Sequence, residues 1–317
     1  MTALAATAAP APRRTPEARG LLRAVLRLHR TALTLWGLAL AAGAAGLLWL
    51  HSLGDEARRG VAACATPPTG RLRSCAAVEA IIADTTYANG LALVTTALSY
   101  VILPVAAWAG AALVGRELEQ GTAQLAWTQS VSPARWLAAK LAVPAALLSA
   151  GTGGLVLLTV WARGDGDPDL VGDWYQPDVF VGTGPTAVAH ALAGLALGAL
   201  AGLLWRRALP AAAAACAAVL LLCTLLERCR ADLWPPVTRT GTGDPDLPRS
   251  AFQVSWDTTS EDVTWDNALG HGSGRTTATF HPPSHFWPLQ YVETGILLAV
   301  AAAATAGAFL LLRRRTP

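Results

Sequence analysis

Six long apolar runs divide the chain: Thr31–His51, Gly90–Val114, Leu137–Trp161, Thr186–Trp205, Leu209–Leu226 and Tyr291–Leu312. A helix that crosses a bilayer needs about 20 mostly apolar residues. Each run meets or approaches that length, the fifth being the shortest. None carries an acidic or basic residue at its middle; Lys140 and Glu293 come closest and lie near run ends. An ionisable group at the bilayer centre costs about 2.5 kcal/mol or more. The pattern therefore predicts an all-α integral membrane protein with six transmembrane helices. Between runs five and six the pattern changes. "AFQVSW" and "TTATF" alternate with period two and are separated by Gly, Asp and Pro. Such alternation predicts a few short strands, a small β element, with a meandering loop as the alternative. Residues 1–30 thus form a tail, 31–226 spans one to five, 227–286 a larger loop, and 287–317 span six with a second tail.

Composition agrees with a membrane protein. Of 317 residues, 53% are hydrophobic and only 14% charged, against about a quarter charged in soluble domains. The N-terminal arginines followed by an apolar stretch have the outline of an export signal. The stretch is too long, and no small-residue cleavage site is obvious, so it is read as a retained span. The distribution of charge adds an orientation. The first tail carries Arg13, Arg14, Arg19, Arg23, Arg27 and Arg30 against Glu17. Arg206 and Arg207 separate runs four and five, and Arg313, Arg314 and Arg315 follow run six. The loop after run three instead holds Asp165, Asp167, Asp169, Asp173 and Asp178. Positive-inside counting places both termini in the cytoplasm, N-in and C-in, and makes the 227–286 loop extracellular. Flanking arginines account for the basic tail without a nucleic-acid partner; membrane lipid is the expected neighbour. Residues 1–20 read as disordered, and "LLRAVLRLHR" as a basic helix along the membrane surface or an extension of span one.

Orientation gives the cysteines a compartment. Cys64 and Cys75 fall in the loop after span one, where a disulfide can persist; two free thiols are the alternative. Cys216 and Cys223, seven apart, share a helix face as small packing residues. Cys229 has no evident partner. His271, His281 and His285 cluster in the large loop, but their spacing fits no zinc template, and no metal site is expected. Phe286, Trp287 and Tyr291 fit an aromatic belt at the opening of span six.

The chain lacks several chemistries. Its sole lysine, Lys140, follows no glycine loop, so the phosphate-binding G-x-x-x-x-G-K-[ST] is missing. H-E-x-x-H and G-x-S-x-G are missing too. A non-catalytic protein is expected. A proton-driven carrier would show carboxylates inside its spans; only Glu293 approaches that, with a hydrated helix-end role as the alternative. Spans two and four place Thr95, Thr96, Ser99, Tyr100 and His190 where a pathway would run, although small polar residues in spans also serve as packing contacts.

One polar segment, residues 115–136, separates spans two and three: "GRELEQGTAQLAWTQSVSPARW". Gly121 can end one helix, and the Thr122 hydroxyl can accept backbone N–H groups to start a short one. Ser132-Pro133 then restarts a helix, Ser as cap and Pro in the first turn. The short helix presents Glu117, Glu119, Leu125 and Trp127. Spacing alone leaves this as either a plain connector with solvated charges or a docking element.

"RELEQGTAQLAWTQSVSPARWLAAK" resembles the pattern in membrane subunits of type 2 ABC transporters, particularly actinobacterial ones. Glu117, Glu119, Gly121, Thr122, Gln129, Ser130, Arg135, Trp136, Leu137 and Lys140 carry the likeness. "RLHRTAL", "WRRALPA" and "SHFWPLQYVETGILLA" resemble the same family. The resemblance implies a permease of an ABC exporter in a bacterial plasma membrane. ATP and magnesium would be bound by a separate ATP-binding subunit, with no cofactor on this chain. A second permease chain would complete a homo- or heterodimer. The segment would be a cytoplasmic coupling helix seated in a groove of the ATP-binding subunit through Glu117, Glu119, Gly121, Thr122, Leu125, Trp127 and Arg135. The two glutamates would meet basic groups, and Leu125 and Trp127 would be apolar anchors. Lipophilic drugs, as in multidrug efflux, or lipids are the implied cargo. The alternatives are a stand-alone carrier or scaffold and, against the missing motifs, an intramembrane enzyme.

Overall fold

The computed structural model describes residues 30–65, 78–128, 132–164, 167–242, 245–266 and 271–315. The expected tail disorder, the surface helix and Cys75 lie outside these residues, as does the Cys64 side chain, so the disulfide is not addressed. The helices are α1 (Arg30–Ala65), α2 (Val78–Thr96), α3 (Ile102–Glu119), α4 (Thr122–Thr128), α5 (Pro133–Arg163), α6 (Pro168–Val171), α7 (Pro177–Gly182), α8 (Thr186–Trp205), α9 (Ala208–Cys229) and α10 (Phe286–Arg315). Six helical stretches are long and apolar enough to cross a membrane: Arg30–Arg59, Ala83–Glu119, Pro133–Arg163, Thr186–Trp205, Ala208–Asp232 and Pro283–Arg315. All six predicted runs are there. Most extend beyond the apolar residues because helical hydrogen bonding continues into polar flanks such as Asp55–Arg59 and Arg116–Glu119.

Helix α8 is the axis of the bundle, buried along most of its length. It is built from alanine, glycine and leucine, and small residues let membrane helices approach closely. The approach to α3 is the tightest. A Cβ at Gly198 would lie 2.1 Å from the Ala107 carbonyl oxygen, and one at Gly110 would lie 2.2 Å from that of Leu195. Cys216 and Cys223 pack α9 against the same region, the Cys216 thiol 3.8 Å from the Pro104 carbonyl. Both are packing residues, as their shared face predicts.

Helices α2 and α3 form one span interrupted by a π-helical turn, Ala97–Val101, in which the Ile102 N–H reaches back to the Ala97 carbonyl. Pro104 explains the widening. A proline lacks its own N–H and its ring clashes with the carbonyl four residues earlier, here that of Tyr100. Single π turns absorb such a misfit and often mark functional sites.

The loop between α9 and α10 holds a three-stranded antiparallel sheet of order β1-β3-β2: β1 (Val237–Thr242), β2 (Phe252–Asp266) and β3 (His271–His281). The alternating stretches form β2 and β3, as predicted. Strand β1, "VTRTGT", was not foreseen. Register runs Val237↔Phe280 to Thr242↔Arg275 on one side and starts Phe252↔His281 on the other, with a shift between Gln253 and Ser255. Thr276, Ala278 and Phe280 face inward and are buried. Thr277 and Thr279 face outward, opposite Thr240 and Thr238. The sheet is tied to the α6–α7 region: the Trp174 indole donates to the Ser250 carbonyl (2.7 Å), the Ser250 hydroxyl to Asp173 (2.6 Å), and Phe252 stacks on Tyr175 at 5.3 Å. Trp287 and Tyr291 stack at 5.7 Å and are exposed, as a belt requires. Phe286 instead packs into the core. His281 and His285 face each other through their Nδ1 atoms at 3.0 Å, and His281 Nε2 lies 2.9 Å from the Ala231 carbonyl. That carbonyl can only accept, so Nε2 carries the His281 proton and Nδ1 accepts from His285. His271 starts β3, ten residues away.

Candidate coupling helix and polar cluster

The polar segment forms helix, short cross-piece, helix. Gly121, at φ +72°, breaks α3 from α4, a left-handed turn glycine adopts without strain. Ser132 caps α5 by accepting from the Arg135 N–H (3.4 Å), with Pro133 in the first turn. The Thr122 reading needs correction. Gly121 already makes the turn, so Thr122 sits inside the first turn of α4, and its hydroxyl donates back to the Glu117 carbonyl at 3.4 Å.

Both glutamates bond within the chain, Glu117 half-buried and Glu119 exposed. The Glu117 carboxylate accepts from the Trp136 indole (2.9 Å) and pairs with Lys140, tying the end of α3 to the start of α5. Lys140 is 6% exposed; partnered this way, the one lysine is tolerated in a hydrophobic span. Glu119 accepts from the Ala208 N–H (3.1 Å) at the start of α9, where a carboxylate satisfies an orphan helix donor and complements the dipole. Beneath α4, Ala123 is fully buried among Val114, Trp136, Leu137, Leu203 and Leu312. Trp127 packs edge-on to Trp136 at 5.7 Å, and its buried indole N–H has no hydrogen-bond partner among the described residues. Leu125 points the other way, 59% exposed, flanked by exposed Thr122, Gln124 and Thr128. The exposed charges around this face include Arg116, Arg135, Arg206, Arg207 and Arg313–Arg315. The arrangement is a knob: one apolar side chain outward and a rim basic apart from Glu119, packed beneath against α3, α5, α8 and α10.

The pathway residues separate into three groups. Thr95 donates to Asp178 Oδ2 (2.7 Å), and Ser99 to the Asp178 carbonyl (3.0 Å). Both pin α7 against the α2–α3 span and are packing contacts. Thr96 is exposed on the bundle's surface. Tyr100 and His190 do come together, with Ser99, along a small cleft that also meets Cys223, Glu227, Arg230 and Glu293.

Sequence reasoning missed the partner of Glu293. Arg230 forms a two-pronged ion pair with it (3.0 and 3.3 Å), the two side chains 4% and 0% exposed. The guanidinium also lies 4.1 Å over the Phe180 ring. Gln290, one turn before Glu293, bonds the Thr186 hydroxyl and the Phe180 carbonyl. This network joins α7, α8, α9 and α10. The signal available in the sequence was a charge of each sign flanking the loop, at the end of run five and the start of run six.

No curated protein and no solved structure matches the chain. The sequence profile described as "ABC-2 membrane transporter related" matches residues 37–230, which spans α1 to the end of α9 and takes in both the α4 knob and Arg230. With six apolar helices long enough to span a bilayer, the chain is a multi-pass membrane protein of permease type, and it belongs to the ABC-2 membrane transporter related family.

Proposed function

We infer that the chain is the transmembrane subunit of an ABC exporter in a bacterial plasma membrane, driven by ATP hydrolysed on separate subunits that seat against α4. A second permease chain completes the transporter. The chain has no phosphate-binding loop, so its energy comes from elsewhere, and its family is that of ABC transporter permeases. The arginine distribution favours α4 and both termini in the cytoplasm and the sheet outside. The cargo is a lipophilic compound or lipid.

The observation that carries this reading is the seating of α4. A plain connector would leave its apolar residues inward and its charges solvated. Here the two glutamates are engaged within the chain, and one leucine stands outward on a base packed against four helices. Pushing that knob moves α3 and α5 as one body. Its rim, basic apart from Glu119, fits a groove edged with acidic residues, whereas the family resemblance implies glutamates meeting basic groups.

The test is co-purification with the cognate ATP-binding subunit in detergent. Leu125→Asp should weaken association by roughly 2 kcal/mol or more, the scale of an interface hot spot, and abolish ATP-dependent transport at unchanged membrane levels. Thr240→Asp, on the sheet, should change neither. Wild-type association and transport in Leu125→Asp would reduce α4 to a connector.

A further inference from the structure

The cleft beside the π-helical turn has one charge left over. Its lining includes two carboxylates, Glu227 and Glu293, against one guanidinium, Arg230. Glu293 and Arg230 neutralise each other; Asp178 lies outside the lining, takes the Thr95 hydroxyl and has Arg163 as its basic neighbour. Glu227 is exposed and has no hydrogen bond or ion pair among the described residues. Opposite it stands Tyr100, 46% exposed. Deeper in, His190 is 3% exposed, and among the described residues neither ring nitrogen has a partner that meets full hydrogen-bonding geometry. The Thr186 carbonyl one turn back lies beside the ring and can accept from one ring N–H, which leaves the other nitrogen as an acceptor. A neutral imidazole presents one acceptor lone pair, and burying it unpaired is costly.

A ligand entering here meets an unpaired negative charge, an aromatic ring and an empty acceptor. Together they select a cation that donates hydrogen bonds. Size narrows the choice. The cavity volume at the head of the cleft is about 20 Å³ on the scale in which one water needs about 10–15 Å³, room for one water-sized group. An ammonium –NH3+ is of that size; a trimethylammonium is not. The helices that form the cleft also carry exposed apolar side chains, Val101 and Val105 on the Tyr100 side and Leu220 and Leu221 on the Glu227 side. These are suited to a hydrocarbon tail.

The geometry points to a binding site for the primary-ammonium head of an amphiphile, with Glu227 as counter-ion, Tyr100 as cation–π face and His190 as hydrogen-bond acceptor. Under the transporter reading this amphiphile is the cargo. The binding itself does not depend on ATP and is tested without the ATP-binding subunit.

The experiment is saturation binding of labelled dodecylamine to the full chain in phosphatidylcholine nanodiscs, with empty discs subtracted. Binding should saturate at one site per chain. Glu227→Gln should weaken it by about tenfold or more, the loss expected for one charge-assisted hydrogen bond. Glu227→Asp should keep part of it, Tyr100→Leu should lower it, and dodecyltrimethylammonium and dodecanol should compete poorly. Displacement by added phosphatidylethanolamine would name the membrane's own headgroup as the ammonium source; failure to displace would name a free amine. Non-saturable binding, equal affinity in Glu227→Gln, or equal competition by the trimethyl head would overturn the site. Saturable binding in a chain that fails to associate with any ATP-binding subunit would leave the site standing and remove only its role as cargo site.

Discussion

Glu117 lies in a segment whose composition reads as solvated, yet both carboxylate oxygens are engaged, by Trp136 and Lys140. Nothing in "RELEQ" distinguishes an outward glutamate from an inward one. The distinguishing residue is Lys140, a helical distance beyond Ser132-Pro133, whose burial requires an anion. Removing one member of such a pair leaves the other charged and desolvated. Lys140→Met should therefore destabilise the chain by about 2 kcal/mol or more, and adding Glu117→Gln should return part of the lost melting temperature in detergent. For the same reason, reversing both glutamates would disrupt the fold of this region, so Leu125 is the cleaner docking probe. The Arg230–Glu293 pair is more deeply buried. Arg230→Met should cost about 3–5 kcal/mol, while Arg230→Met with Glu293→Leu should recover most of it, because an apolar replacement of a whole buried pair is often neutral. Equal melting temperatures for the single and double variants would show that the two residues do not act as a pair.

At the scale of elements, the spans were legible because twenty-residue apolar runs have few other uses. Strands β2 and β3 showed as period-two alternation, and Ser132-Pro133 showed the start of α5. Strand β1 was not legible: "VTRTGT" is short and contains a glycine, and its pairing with β3 becomes visible only in the register. The π turn was hidden too, although Pro104 signalled a misfit. Helix contacts were beyond periodicity altogether, since α8 is apolar all round. Their determinants are glycines. Gly198→Ala places a methyl 2.1 Å from the Ala107 carbonyl, so it should push α8 off α3 and lower thermal stability in detergent by several degrees. Gly154→Ala, with nothing within 4 Å, should hold or raise stability, as alanine does in a helix by roughly 1 kcal/mol. Similar melting temperatures for the two variants would contradict the close α3–α8 packing.

Across the whole molecule, the two ends of the bundle differ in kind. One end holds the α4 knob with Arg30, Arg116, Arg135, Arg206, Arg207 and Arg313–Arg315 against only Glu117 and Glu119 among the described acids. The other holds the sheet, α6, α7 and the Arg230–Glu293 network. With the chain's five cysteines replaced by alanine, Thr240→Cys should react with an impermeant maleimide in intact cells, and Thr128→Cys only after permeabilisation. The reverse pattern would invert the orientation. The balance of arginines against acids in the connectors made this asymmetry readable in the sequence, but not which side chain of the knob faces a partner, because that depends on the contacts beneath Ala123 and Trp127. The central claim, that α4 is where an ATP-binding subunit pushes, is tested most directly by a photo-crosslinking amino acid placed at position 125. On irradiation it should capture the ATP-binding subunit, and the same probe at position 221, exposed on α9, should not. No crosslink from position 125 in an assembled, ATP-hydrolysing complex would contradict the account.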